Sequence, residues 1–348
     1  MQTELVKIDR EQMSHHIMKR AGEILQNGGL VAFPTETVYG LGADALNEEA
    51  AQKIYAAKGR PSDNPLIVHI ADMEALGRIA ESIPKEAKAL AEAFWPGPLT
   101  MIFRKKECVP SGTTGGLSTV AVRMPSDEIA RELIRQGGGY IAAPSANVSG
   151  RPSPTTAQHV YEDMKGRIPM ILDGGPVRIG LESTIVDLTE EHPVILRPGY
   201  ITLSMIRSIT GEAEVDRGLI ADNSTVRPKA PGMKYRHYAP RAELWIVEGP
   251  MDRVVSYINE KCSAFPGTGI ICTEETREYY PDGVVKSIGS RKDERSIAGH
   301  LFAVLREFDG EHVERIYSES FDTQGLGQAI MNRLLKAAGH QKIDVSEK

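Results

Sequence analysis

The chain has 348 residues, 41% of them apolar and 25% charged, which fits ordinary globular domains and excludes collagen-like, coiled-coil and disordered classes. Its 41 basic and 47 acidic residues leave a net charge of −6, so no whole-protein basic field exists for gripping nucleic acid, although a local cationic cleft for phosphates is compatible. No apolar run nears the roughly 20 residues of a membrane helix, and MQTELVKIDREQ lacks the apolar core of a signal peptide. Three scattered cysteines, Cys108, Cys262 and Cys272, argue against a disulfide framework and fit a reducing, cytoplasmic setting; with no such apolar run, no membrane partner is expected.

In chain order, Ser14–Gln26 has helical spacing and stops at Gly28-Gly29, and Leu30–Phe33 reads as a short buried strand. Asn47 is an N-cap for a helix running to Lys58, which Gly59 and Pro61 prevent from continuing. A strand at Pro65–Ile70 precedes helices starting near Asp72 and Pro84. After the turn Trp95–Pro98 comes a strand at Leu99–Phe103, then one at Ser118–Met124. In the latter, Val120, Val122 and Met124 face one way while Thr119, Ala121 and Arg123 face the other. A helix from Asp127 and strands near Tyr140–Ala143, Met170–Leu172, Thr184–Leu188 and Val194–Leu196 complete a large twisted α/β sheet.

Arg227–Pro240, with four prolines, reads as a linker. Beyond it, strands at Glu243–Val247, Gly269–Cys272, Val284–Ile288 and Val313–Tyr317 alternate with helices at Asp252–Lys261, Glu294–Phe308 and Gln328–Ala338. The expected organisation is a larger α/β domain over 1–212, a linker over 213–240 and a smaller α/β domain over 241–348 with a parallel, Rossmann-like sheet.

Several familiar signatures are decoys or absent. Gly40–Ala45 matches G-x-G-x-x-A, but six residues separate it from the preceding strand and no clean βαβ unit with an acidic partner follows. There is no phosphate-binding G-x-x-x-x-G-K-[ST], no H-E-x-x-H, no zinc-type Cys/His spacing and no G-x-S-x-G elbow. A resident metal is therefore not expected, and an ion carried in on a phosphate ligand would need few protein ligands.

Chemistry concentrates in four polar stretches: Phe33–Gly42, Lys58–His69, Ala143–Pro154, and Leu181–Val186 with Leu196–Gly199. Each residue has a plainer reading. Thr35 and Thr37 could be strand-end hydroxyls, Lys58 a helix-end cation, Ser145 and Asn147 turn formers, and His69 a satisfied core histidine. Arg123 is harder to set aside, because a charge on that strand face needs a partner or a ligand. Taken together, Lys58 and Arg60 with Ser145 and Asn147 suit a triphosphate, and the planar fork of Arg123 suits a carboxylate.

The K-x-R of Lys58/Arg60, the S-x-N of Ser145/Asn147 and the runs PTETVYGLG, DNPLIVHI, WPGPLT and APSANVSGRPSPT resemble the YrdC-like threonylcarbamoyl-adenylate synthases. The second α/β unit and the K-Y-x-H-Y-x-P run at Lys234–Pro240 resemble the long, two-domain form, and every motif position matches. The resemblance implies a nucleotidyltransferase that joins L-threonine, bicarbonate and ATP into threonylcarbamoyl-AMP, pyrophosphate and water. The product serves threonylcarbamoyl-adenosine formation in tRNAs reading ANN codons, with tRNA or the downstream transferase as a partner. It assigns Lys58, Arg60, Ser145 and Asn147 to the catalytic phosphate tetrad, Asn64, Thr119, Ser153, Arg197 and Tyr235 to further ATP contacts, and Thr37, His69, Arg123, Ala143 and Ser183 to L-threonine. The alternatives are an RNA-binding module and a carbamoyltransferase built on the same fold; the negative charge weighs against the first.

Overall fold

A computed structural model describes residues 1–216 and 238–347. They form two compact units: the first takes 1–149, 153–178 and 182–216, and the second takes 150–152, 179–181 and 238–347. Among the described residues no helix is long and apolar enough to cross a membrane.

The strands of the first unit are β1 (Glu4–Lys7), β2 (Val31–Phe33), β3 (Gly40–Asp44), β4 (Ile67–His69), β5 (Leu99–Arg104), β6 (Thr119–Arg123), β7 (Ile141–Ala142), β8 (Met170–Asp173), β9 (Thr184–Asp187), β10 (Val194–Arg197) and β11 (Glu214–Val215). They make one mixed sheet in the order β1-β8-β2-β3-β7-β4-β6-β5-β9-β10-β11. β4 pairs parallel with β6, while β5 runs antiparallel to β6 and parallel to β9.

The period-2 alternation of these central strands divides the sheet into two unlike faces. Val68, Val120, Val122, Met101, Phe103 and Val186 enter the large core. On the opposite face, Ile67, Ile102, Ala121, Ile185 and Leu196 form a much smaller apolar patch. Two residues from Ile67, Ile102, Ala121 and Ile185, at one end of the patch, stand the polar side chains of His69, Thr100, Arg123 and Ser183, which contribute to a site.

Helix ends set the remaining geometry. Asn47 Oδ1 accepts from the backbone N–H of Glu49 and Ala50 at 3.0 and 3.1 Å, starting the helix Glu48–Lys58. Gly59, at φ 61°, closes it in the left-handed conformation, which a residue with a Cβ adopts only with strain. The helix therefore ends abruptly at Lys58.

β1, β3 and β11, and the helices Ala157–Met164 and Leu203–Thr210, are additions to the sequence expectation. β3 is instructive, since its glycines are those of the G-x-G-x-x-A match. A Cβ on Gly42 would stand 2.9 Å from both Ile141 Cγ2 and Phe33 Cε1, so glycine is there to let strands and side chains close up. Gly40–Asp44 is a strand antiparallel to β2, not the strand-to-helix turn of a dinucleotide fold.

The second unit carries β12 (Glu243–Glu248), β13 (Gly269–Cys272), β14 (Val284–Ser287), β15 (Arg315–Glu319) and β16 (Lys342–Asp344). Every pairing is parallel, in the order β14-β13-β15-β12-β16, with the helices Met251–Ala264, Glu294–Glu307 and Gly327–Ala337 as crossovers. This is an open parallel sheet of Rossmann-like character with its own strand order, β15 lying between β12 and β13.

Candidate active site

Lys58 is 2% exposed at the helix exit, and its Nζ donates to the backbone carbonyls of Ser145 and Asn147. Ser149 N–H donates back to Lys58 O at 2.9 Å, and Ser145 Oγ donates to Asn147 Oδ1. The K-x-R and S-x-N motifs, 87 residues apart in sequence, thus meet through direct bonds. Arg60 Nη2 reaches the carbonyls of Asn64 and Pro65 at 3.2 and 3.1 Å. Asn64 itself is buried, and its Oδ1 has no hydrogen bond.

A second cluster crosses the sheet. His69 pairs with Arg123 between β4 and β6, Arg123 pairs with Thr100 between β6 and β5, and Thr100 Oγ1 lies 2.7 Å from Ser183 Oγ. Arg197 Nε donates to Ser183 O at 3.1 Å and its Nη2 to Ser183 Oγ at 3.2 Å. Arg123 finds its partner in Glu36, with Nη2 2.7 Å from Oε1 and exposures of 5% and 2%. The pair is close in distance but its angles fall outside hydrogen-bond geometry, so we treat it as an ion pair without a formed hydrogen bond. Arg123 Nε donates to Gly97 O at 3.3 Å. Among the described residues, Nη1 has no internal acceptor.

His69 is pushed down from its ordinary 6.5 to about 3, first by burial and then by the positive charge of Arg123. It is neutral at physiological pH, and its Nδ1 sits 3.1 Å from Ile67 O. Burial likewise raises the Tyr39 phenol above its usual range, and the hydroxyl donates to Gly175 O.

Backbone bonds join the two clusters. Leu41 N–H bonds Pro144 O, Ala146 N–H bonds Tyr39 O, and Ala143 N–H bonds Ile67 O. The loop carrying Thr35–Tyr39 therefore runs beside the S-x-N loop, which itself starts next to β4. Thr35 donates to Val38 O at 2.7 Å, so the 2.8 Å contact between the Thr35 and Thr37 hydroxyls uses the Thr37 proton. Thr37 Oγ1 is left able to accept. Ser153 Oγ donates to Glu182 Oε1 at 2.6 Å, and Tyr39 N–H bonds Pro154 O.

Thr37, Lys58, Arg60, Asn64, His69, Arg123, Ala143, Ser145, Asn147, Ser153, Ser183 and Arg197 thus fall in one connected region of the first unit. Thr119 does not join it as closely. It pairs with Arg104 at the far end of β6, about 13 Å along the strand from Arg123. Tyr235 lies outside the described residues. Glu36, Glu182 and Thr100 were missing from the sequence-derived site. Glu36 had a readable signal, being a charged residue inside the otherwise uncharged run Phe33–Gly42. Among the described residues no group of three or more His, Cys, Asp or Glu is placed to hold a metal ion.

A buried lysine that clamps a Ser/Asn loop lies in the same region as a buried arginine–glutamate pair, in an α/β unit built on one mixed sheet. The family described as "Telomere recombination" covers residues 23–199, and "Threonylcarbamoyl-AMP synthase, C-terminal domain" covers 201–339. The threonylcarbamoyl-AMP synthases of Pyrococcus abyssi and Bacillus subtilis are each 50% identical, over 97% and 93% of this chain and 98% and 93% of theirs. The crystal structure of P. abyssi Sua5 complexed with L-threonine matches at a TM-score of 0.93 and 48% identity, covering 98% of this chain and 99% of that one. The chain belongs to the threonylcarbamoyl-AMP synthases, a family of adenylyl-transferring enzymes, in its two-domain form.

Proposed function

We propose that this chain condenses L-threonine, bicarbonate and ATP into threonylcarbamoyl-AMP, releasing pyrophosphate and water, in the cytoplasm. The product would feed threonylcarbamoyl-adenosine formation in tRNAs reading ANN codons. The observation that carries the reading is the direct bonding of Lys58 Nζ to the S-x-N loop within the same connected region as Arg123.

The chemistry divides among these residues. Arg123 offers Nη1 to the threonine carboxylate, and Thr37 Oγ1 accepts from the threonine hydroxyl. Once its amine has added to bicarbonate, a carbamate oxygen attacks the α-phosphorus in line and pyrophosphate leaves. Lys58, Arg60, Ser145 and Asn147 offset the charge that develops on the phosphates, and Arg197, Asn64 and Ser153 hold the nucleotide. Arg197 also touches Ser183, so the nucleotide and amino-acid contacts share one hydrogen-bonded path. A magnesium ion would come as part of the ATP substrate. The mixed anhydride is labile in water, which favours direct transfer to the downstream transferase or tRNA.

The test is pyrophosphate release from ATP by the full chain. It should require both L-threonine and bicarbonate, and release indifferent to threonine would overturn the assignment. Salt-sensitive RNA binding without pyrophosphate release would favour a binding module instead.

A further inference from the structure

Glu36, like Glu182, is a charged residue of the region that neither motif assigns. It is 2% exposed, and neither carboxylate oxygen has a hydrogen bond. Its neighbours cannot supply one. The Thr37 proton goes to Thr35, and the Thr35 proton goes to Val38 O. His69, on the strand beside Arg123, is neutral at physiological pH. Arg123 Nη2 stands 2.7 Å from Oε1, and Oε2 is left as a buried acceptor with no donor. Such an acceptor is destabilising, and use in binding a ligand is one reason for a fold to retain it.

Beside this carboxylate, Arg123 keeps Nη1 without an internal acceptor. The two side chains thus present a positive and a negative group side by side, each with bonding capacity unused. An α-amino acid is the complementary object, with a carboxylate and an ammonium on the same carbon. We propose that Glu36 anchors the α-ammonium group of the substrate while Arg123 takes its carboxylate, making Glu36 a specificity-determining residue. The inference rests on the synthase reading, and it states which group selects an amino acid over a hydroxy acid.

Calorimetry on the full chain tests this with two ligands: L-threonine, and the 2,3-dihydroxybutanoate of matching configuration, which has a hydroxyl where threonine has its ammonium. Wild type should bind threonine at least about tenfold more tightly, the scale of a charge-assisted hydrogen bond. In Glu36→Gln that preference should collapse towards one. A role confined to orienting Arg123 would weaken both ligands together, because both carry the carboxylate, and would leave the ratio unchanged. An unchanged ratio in the variant, or equal affinities in wild type, overturns the proposal and leaves the synthase reading standing. The wild-type comparison holds even if the variant folds poorly. Failure of wild type to bind either ligand would instead sink the synthase reading, and this inference with it.

Discussion

Lys58→Met separates the two tasks that the structure gives one side chain. Methionine keeps most of the buried stem and removes the ammonium, so the packing change is small. Two backbone acceptors, Ser145 O and Asn147 O, lose their donor. An acceptor left buried and unpaired costs about 1–3 kcal/mol. Ser145 is only half-buried, so water recovers part of the first loss, whereas Asn147 is 4% exposed and recovers little. The sum comes to about 2–4 kcal/mol, a large share of a domain's stability.

The chain has two units, so a single unfolding free energy would be ill-defined, but its two tryptophans sort the signal. Trp95 lies in the first unit with Nε1 bonded to Leu99 O, and Trp245 lies in the second. In a Trp245→Phe background, urea unfolding followed by Trp95 fluorescence reports the unit that holds the site. The rate of pyrophosphate release at saturating substrates should fall by about a hundredfold or more, the scale of losing one charge-stabilising donor. A loss of stability below about 1 kcal/mol would refute the idea that Lys58 holds the S-x-N loop. Lost stability with an unchanged rate would reduce Lys58 to a structural clamp.

Three further perturbations probe other parts of the argument. Unfolded His69 titrates near 6.5 and the folded residue near 3, so across that window the unfolded chain binds the extra proton and stability falls as pH drops. The slope is about 1.4 kcal/mol per pH unit, and His69→Gln should remove roughly that much from the pH dependence of unfolding between pH 6 and 4.5; parallel curves for variant and wild type would contradict the assignment. Asn47→Ala deletes two cap bonds and should cost about 1 kcal/mol at the Trp95 probe, with the catalytic rate preserved because the cap lies at the other end of the helix from Lys58. Glu319 is wholly buried at the end of β15 and accepts from Thr276, from Tyr280 at 2.9 Å and from Arg291 at 2.7 Å. Glu319→Gln should cost about 2–3 kcal/mol, seen in Trp245 fluorescence and absent from Trp95; a shift at both probes would mean the units unfold together.

The elements with strong periodicity or clear stop signals were legible. Asn47, Lys58 and Gly59 state where a helix starts and ends, and the alternation from Thr119 to Met124 states which residues of β6 face the core. What was hidden depended on distant partners. Glu4–Lys7 is mostly exposed and becomes a strand through its ladder to β8, some 165 residues away in sequence. The reason for the glycines of β3, the closeness of Ile141 and Phe33, likewise lies in other segments.

The site divides along the same line. Lysine, arginine, serine and asparagine declare their chemistry by type and spacing, so the motifs point to phosphate before any coordinates exist. Arg123 declared only that it needed a partner, and two answers were open: a protein carboxylate or a ligand. The structure gives the first answer with Glu36, yet uses only Nη2 to do so. The second answer belongs to the proposal made for Glu36, and it is compatible with the first because the ion pair through Nη2 leaves Nη1 without an internal acceptor among the described residues. A pocket that must orient a small zwitterion gains more from that preset geometry than from a second mobile cation, because the ordering cost is met when the chain folds and not when the substrate binds.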